Sequence, residues 1–319
     1  MMRILKFGGK SLSSTDKIKK ICKFIKTIYK TDNKLIIVVS AMGNTTNELI
    51  EKVKDFKPEK SSQRDFDVLL STGETISSSI FSIILNSIGV PAKSFQGWQI
   101  KINTHGAYQN SLITSIDKTK IEECLNNNKV VVVSGFQGIN SNGDITTLGR
   151  GGSDTTASAL GATFNTNVEL YSDFDGIFNC DPREILTNKI NSVSLNQLER
   201  ITSNGVKLVS NRAVKIAKDN NLSIKLKSSI EPKLSGSIAN QIEKDNIFLY
   251  TNTNLCELNI DFSNKSKLIL LSKNVLIWLK NYKIYSFIQK SYSISIIINQ
   301  SDKNEILNLL CKKLKILKT

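Results

Sequence analysis

The chain opens with RILKF at residues 3–7, where apolar and polar side chains alternate with the period of a strand before running into Gly8-Gly9. The period then changes. Across DKIKKICKFIKTIYK, residues 16–30, the apolar positions are Ile18, Ile21, Cys22, Ile25, Ile28 and Tyr29, which line one helical face. KLIIVVS at 34–40 is a continuous apolar run of strand length, followed by AMGNTTNELIEKV, a loop that opens a helix. VVVVSGFQG (130–138), NVELYSDFDG (167–176) and NLSIKLKSS (221–229) repeat the arrangement of an apolar strand ending in small or polar residues. Strands and helices alternating at this rhythm predict an α/β fold with a largely parallel sheet. In such sheets ligands sit beyond the carboxyl ends of the strands, which is where the small and polar clusters fall.

Past about residue 245 the pattern differs. IFLYT, LCELNIDF, KLILL and YSISIIIN read as strands, and DKNEILNLLCKKLKIL closes as an amphipathic helix. These 74 residues contain no glycine. They predict a small α+β module without a phosphate-holding turn, suited to regulation, assembly or plain structure. The expected organisation is a larger α/β domain over 1–245 and a smaller module over 246–319.

Composition narrows the class without deciding it. The net charge of +15 comes from lysines scattered over the whole chain among Asn, Ile and Ser, with no aromatic-flanked basic stripe. A codon bias explains that pattern at least as well as nucleic-acid binding, which is not expected. No apolar run reaches the roughly 18 residues of a membrane span, and the N-terminus carries no signal-peptide core, so no membrane partner is expected. Five dispersed cysteines without a CxxC pair point to a reducing cytoplasm rather than to disulfides or a zinc ribbon. His105 is the only histidine, which excludes mechanisms needing two. There are six arginines, and three of them, Arg150, Arg183 and Arg212, fall in glycine- or turn-rich clusters. Where lysine is abundant, an arginine suggests a planar, two-point contact.

Four clusters carry candidate chemistry. KFGGKS (6–11) ends in Gly-Lys-Ser, but a P-loop needs a further glycine where Ile4 stands. What remains is a glycine turn at a strand end whose N–H groups can line an anion, with Lys6 able to reach back to it. TTLGRGGSDTTASALGA (146–162) sets Gly149, Gly151 and Gly152 around Arg150, ahead of Ser153 and Asp154. The glycines can bring backbone amides close to charge, Arg150 can pair with a carboxylate, and Asp154 can orient a lysine or bind magnesium. Ser153 or Asp154 could equally be an ordinary helix cap. STGETISSS (71–79) places Glu74 at an expected helix start, where the helix dipole favours an acid. YSDFDGIFNCDPRE (171–184) offers Asp173 and Asp175 in a turn and Arg183 after Pro182.

Taken in order, KFGGKS, VSAMG, TGE, GW, GFQG, TTLGRGGSDTTA, SDFDGIFNCDPR and KSSIEPKLSGS resemble the aspartate kinases of the amino-acid kinase family across roughly residues 2–240. The resemblance implies the amino-acid kinase fold and transfer of a phosphoryl group from ATP, with Mg²⁺, to the side-chain carboxylate of L-aspartate. It implies that Lys6, Gly8 and Gly9 hold ATP phosphates, with Ser40 beside the transferring group. Thr46, Glu74, Arg150, Gly151, Gly152 and Ser153 would bind the substrate, Glu74 facing its ammonium and Arg150 clamping a carboxylate. Asp154 would order the catalytic lysine or the metal, and no separate protein metal site is expected. Ser172, Asp173, Asp175, Arg183 and Lys207 would form the nucleotide side.

The chemistry agrees with the inventory, because a carboxylate acceptor with a reference pKa near 3.9 needs no general base at neutral pH. The pattern also departs from the family. Lys10 stands where a small hydroxyl residue is usual, Ser210-Asn211 replaces His-Pro, and Leu112 occupies the position of an arginine, while His105 does not align with the family histidine. The family usually carries two ACT modules, and 246–319 has room for about one, so a reduced ACT-like module forming a homodimer is expected. Alternatives are another acid kinase of the same fold, acting on N-acetylglutamate or glutamate, or a ligand-binding subunit without turnover.

Overall fold

Strand β1 (Arg3–Phe7) forms where the alternation places it, with Ile4, Leu5 and Phe7 fully buried. Helix α1 (Thr15–Tyr29) follows; the Ser14 side chain accepts the Lys17 N–H as its cap, and Ile18, Ile21, Cys22, Ile25 and Ile28 turn inward. The all-apolar β2 (Leu35–Val39) runs parallel to β1. After α2 (Thr45–Val53) and the long α3 (Gln63–Ser87) come β3 (Ala92–Phe95), β4 (Ile102–His105), β5 (Leu112–Ile116), α4 (Thr119–Asn126) and the buried β6 (Val130–Ser134). β7 (Gln137–Ile139) and β8 (Ile145–Thr147) lead into α5 (Gly152–Phe164) and β9 (Val168–Ser172). Then follow β10 (Ile177–Phe178), β11 (Lys189–Ile190), β12 (Ser192–Ser194), α6 (Leu195–Ser203), α7 (Asn211–Asp219), β13 (Ile224–Ser228) and β14 (Ser237–Asn240). The chain closes with β15 (Ile247–Asn252), β16 (Glu257–Phe262), α8 (Lys265–Trp278), β17 (Ile284–Gln289), β18 (Ser293–Ile298) and α9 (Lys303–Lys313). This computed structural model describes residues 2–56, 62–252 and 256–317.

These elements form two compact units, one of residues 1–175 with 209–236 and the other of 176–208 with 237–319. The units therefore do not part at the single boundary expected after residue 245. Segment 176–208 joins the C-terminal residues because Cys180 and Ile185 share an apolar core with Leu249, Phe262 and Leu310.

In the first unit, parallel strands run in the order β13-β9-β1-β2-β6-β3. β1 is the switch point, since the chain moves to β2 on one side and β9 lies on the other. The crevice at such a point opens at the carboxyl ends, which here are Gly8-Gly9, Ser40 and Ser172. A second sheet, β5-β4-β7-β8, carries the strand that feeds the glycine-rich loop before α5.

Two expectations about elements are corrected. Residues 72–74 are not a helix start: α3 begins at Gln63, because the apolar spacing of FDVLL already supplies a buried face, so Glu74 lies mid-helix. Gly73 is tolerated there because a Cβ would stand 2.9 Å from that of Ala41. By length and composition α3 alone would pass for a membrane-crossing helix, yet half of it is buried in the unit, with Asp67, Ser71, Glu74 and Ser77 on the buried side. The second correction is in the tail, where KLILL is helical rather than extended. Asn264 caps α8 by accepting the Lys267 N–H at 2.8 Å, and the run then buries Leu268 and Val275 on one face.

The remaining tail strands form as expected, together with β17, in an antiparallel sheet of order β15-β16-β18-β17. The glycine-free YTNTNLCEL stretch falls partly on residues 253–255, outside the described residues.

Ile37 tests the first core. It sits on β2 between Leu5 of β1 and Val132 of β6, with no exposed surface. Ile37→Ala should cost about 2–5 kcal/mol in chemical denaturation; a loss below about 1 kcal/mol would contradict this packing.

Candidate active site

Four backbone segments meet at the carboxyl ends of the strands. Gly9 lies so close to the segment after β2 that a Cβ would stand 2.7 Å from the Ala41 carbonyl oxygen, and its own carbonyl accepts the Gly43 N–H at 2.9 Å. Gly135, after β6, would place a Cβ 2.7 Å from that of Ser153, and one on Gly152 would meet the Phe136 ring at 2.8 Å. Gly149 and Gly151 adopt φ of +75° and +72°, which side chains resist, so Arg150 rides on a turn only glycines allow. Gly151 then caps α5, where the Gly152 and Asp154 N–H groups donate back to the Gly149 and Gly151 carbonyls at 3.0 and 3.1 Å.

Lys6 and Asp154 are brought together. Lys6 extends from β1 and its Nζ lies 2.5 Å from Asp154 Oδ1 in the first turn of α5. The other Asp154 oxygen accepts the Ser210 N–H at 3.1 Å, so the carboxylate is fixed from two directions. This favours the lysine-ordering role for Asp154 over that of a metal ligand. Gly8 follows Lys6 closely enough that a Cβ would stand 3.5 Å from the ammonium.

Ser40 donates its N–H to the Phe7 carbonyl at 3.2 Å, and its own carbonyl accepts the Ser77 hydroxyl at 2.8 Å. Thr46 is half-buried in the first turn of α2. Ser153 is buried behind Arg150, which is exposed and makes no hydrogen bond or ion pair among the described residues. On the β9 side, Ser172 is exposed, Asp173 lies 4.0 Å from Lys10, and Asp175 is half-buried. Arg183 and Lys207 belong to the second unit and are exposed, Arg183 forking onto Asp181 at 2.5 and 2.9 Å. Leu112, standing in for an arginine, is 44% exposed.

Sequence reasoning missed Ser210, whose part is played by its backbone, and Gly135, whose part is only to be small. Neither leaves a signal in residue chemistry. Among the described residues no group of three or more His, Cys, Asp or Glu could hold a metal.

The sequence profile of the amino acid kinase family matches residues 1–228. The aspartokinase of Bacillus sp. (strain MGA3) is 42% identical over 193 residues, 60% of this chain and 47% of that protein. The aspartokinase of Rickettsia bellii is 41% identical over 185 residues, 57% of this chain and 46% of its own. The chain thus spans about half the length of the curated relatives it matches. Among solved structures, E. coli aspartokinase III in complex with aspartate and ADP superposes with a TM-score of 0.82 at 17% identity, covering 99% of this chain and all of that one. The aspartate kinase of Synechocystis gives 0.65 at 23% identity over all of this chain and 70% of its own. At these identities the superpositions establish the shared fold.

Glu74 is the electrostatic singularity of the site. It is 3% exposed; one oxygen accepts the Ala41 N–H at 2.9 Å and the other has no partner. Burial pushes its pKa up to about 8, against the Ala41 hydrogen bond and the nearby Lys6 charge, which favour ionisation. A carboxyl that binds its proton more tightly folded than unfolded stabilises the fold below the unfolded value near 4.5, and that contribution is lost as pH rises to about 8. Relative to Glu74→Gln, which keeps the acceptor and has no charge, the wild type should lose up to about 4 kcal/mol between pH 5 and 9. Denaturation curves across that range check it, and a difference independent of pH would rule out the buried, unpaired carboxyl.

Proposed function

The chain belongs to the amino acid kinase family, and on that premise we propose that it phosphorylates the side-chain carboxylate of L-aspartate with ATP, in the cytoplasm, as the first step towards lysine, threonine and methionine. The observation that carries the reading is the open oxygen of the buried Glu74 carboxyl. Glu74 offers that buried oxygen, and Arg150 an exposed guanidinium with no hydrogen bond or ion pair among the described residues. A short amino diacid supplies an ammonium for the first and a carboxylate for the second. The names of the relatives support it, as does the aspartate bound to E. coli aspartokinase III.

In this mechanism a side-chain carboxylate oxygen of aspartate attacks the γ-phosphorus, and the bond from that phosphorus to the bridging oxygen of ADP breaks. No proton moves, because the nucleophile is already ionised. The protein's task is to hold two anions together and to meet the charge that spreads over the transferring oxygens. Lys6, fixed by Asp154, does this, with the backbone of Gly9 and Ser153 beside it. Ser172, Asp173 and Asp175 serve the nucleotide. Mg²⁺ fits as the companion of ATP, since it usually takes one or two carboxylates plus substrate phosphates and keeps several waters.

A coupled ADP-release assay should show turnover with aspartate and little with glutamate or N-acetylglutamate, because the acetylated acid leaves Glu74 without an ammonium. Lys6→Ala should lower kcat about 10²–10³-fold, as for other single preorganised donors. Arg150→Lys should raise the KM for aspartate and leave that for ATP, since a point charge cannot replace a planar fork. Equal or better use of N-acetylglutamate would replace the aspartate assignment with a kinase for that acid.

The C-terminal part of the second unit suits assembly better than sensing. Ile269, Leu270 and Ile277 stand exposed on α8, and Tyr285 and Ile288 on the edge strand β17, an apolar surface for a second copy. The strand-to-helix junction before α8 has no glycine, and its cap is occupied by the chain's own Asn264. We infer a homodimer through this ACT-like module, insensitive to amino-acid effectors. Inhibition curves with millimolar lysine, threonine and both should stay flat. Half-inhibition by either, abolished on deleting residues 246–319, would make the module a sensor.

A further inference from the structure

Asp67 lies two turns before Glu74 on α3 and is completely buried. Its carboxylate accepts four donors from two separate loops. The Gln109 backbone N–H stands at 3.1 Å and its side-chain Nε2 at 2.7 Å; the Thr147 N–H stands at 2.6 Å and its hydroxyl at 2.9 Å. Gln109 is held at φ +57°, a conformation a residue with a side chain adopts only when its surroundings impose it. Its carbonyl oxygen closes on Gly149, 2.7 Å from where a Cβ would be.

Arg212 grips the same two loops from α7. Its guanidinium donates to the Leu148 carbonyl at 2.9 Å, the Ser111 carbonyl at 3.3 Å and the Asn110 side-chain oxygen. Residues 109–111 and 147–148 are thus bound by a carboxylate from one helix and a guanidinium from another, immediately before Arg150. The glycines on both sides of Arg150 give its backbone no stiffness of its own.

We propose that Asp67 and Arg212 are positioning residues that hold the Gly149–Gly151 turn, and with it Arg150, in the geometry that receives the substrate carboxylate. The role rests on the acid-kinase reading above. Both residues act through the loops. Their loss is expected on the carboxylate side of the reaction and not on the nucleotide side.

Asp67→Asn changes the volume little but replaces one acceptor oxygen with an N–H₂ group facing the donors that oxygen received, which breaks the latch. Arg212→Lys replaces a fork with a point charge. For both variants, the KM for aspartate should rise about tenfold or more while that for ATP stays within about twofold, as expected for a misplaced binding group. Hydrogen exchange should quicken by a similar factor of about ten at residues 107–111 and 147–151, with β1 and β2 unchanged. Equal increases in both KM values, or an unaltered aspartate KM in a variant with quickened exchange, would overturn the positioning role. Unchanged exchange would overturn the latch itself, whatever acid the enzyme uses. Should Asp67→Asn not fold, Arg212→Lys carries the same comparison. A wild type inactive on aspartate would instead refute the acid-kinase reading, and exchange would still decide the latch.

Discussion

The candidate site depends on backbone approaching backbone where a Cβ does not fit. Gly9 against Ala41, Gly135 against Ser153 and Gly152 against Phe136 are contacts of 2.7–2.8 Å for a methyl that is not there. They draw the turns after β1, β2 and β6 onto the start of α5. Only with those turns closed can Lys6 on one strand reach Asp154 on a distant helix at 2.5 Å. Preorganised charge then follows from chain geometry, and the parallel sheet beneath fixes that geometry through strands buried on both faces.

How much of this was legible from residues varies with the kind of information each position carries. β1, α1 and β2 declare themselves by period, and TTLGRGGSDTTA by its density of small residues around one arginine. Glu74 stands out in the sequence as a candidate site residue, but its place within the helix does not. A Thr-Gly-Glu triplet resembles a helix start locally, and only the burial of ten α3 side chains shows that the helix runs through it. KLILL failed for the related reason that a short apolar run has the same composition in a buried strand and in a helix with one buried face. Asp67 gave no warning at all. An acid in an apolar helix pattern reads as an interruption until its four donors, from sequence positions 109 and 147, are in place.

The two buried carboxylates of α3 show what partners decide. Asp67 is surrounded by donors, so its burial costs little beyond what the hydrogen bonds return. Glu74, also buried, has one donor and an open oxygen, and its pKa rises to about 8. The first is a finished structural bond. The second is an unfinished one, a vacancy in the hydrogen-bond inventory shaped for a cation from outside. An unpartnered buried carboxyl oxygen of this kind costs stability, and a perturbed carboxyl near a crevice is a candidate for binding.

Arginine usage makes the same distinction on the surface. In a chain that relies on lysine for most of its positive charge, five of six guanidiniums are committed. Arg3 forks onto Glu169 at 2.8 and 3.0 Å, Arg64 bonds Asp65 and Asp144, and Arg183 forks onto Asp181. Arg200 donates to the Phe262 carbonyl while lying 4.4 Å over the Tyr292 ring, and Arg212 spans three acceptors. Each is a contact of planar or multi-point geometry that lysine would serve poorly. Arg150 alone has no such partner among the described residues, and it stands between two glycines at positive φ. Exposed and uncommitted among the described residues, it remains available to an anion, and a carboxylate is one its fork can meet at two points.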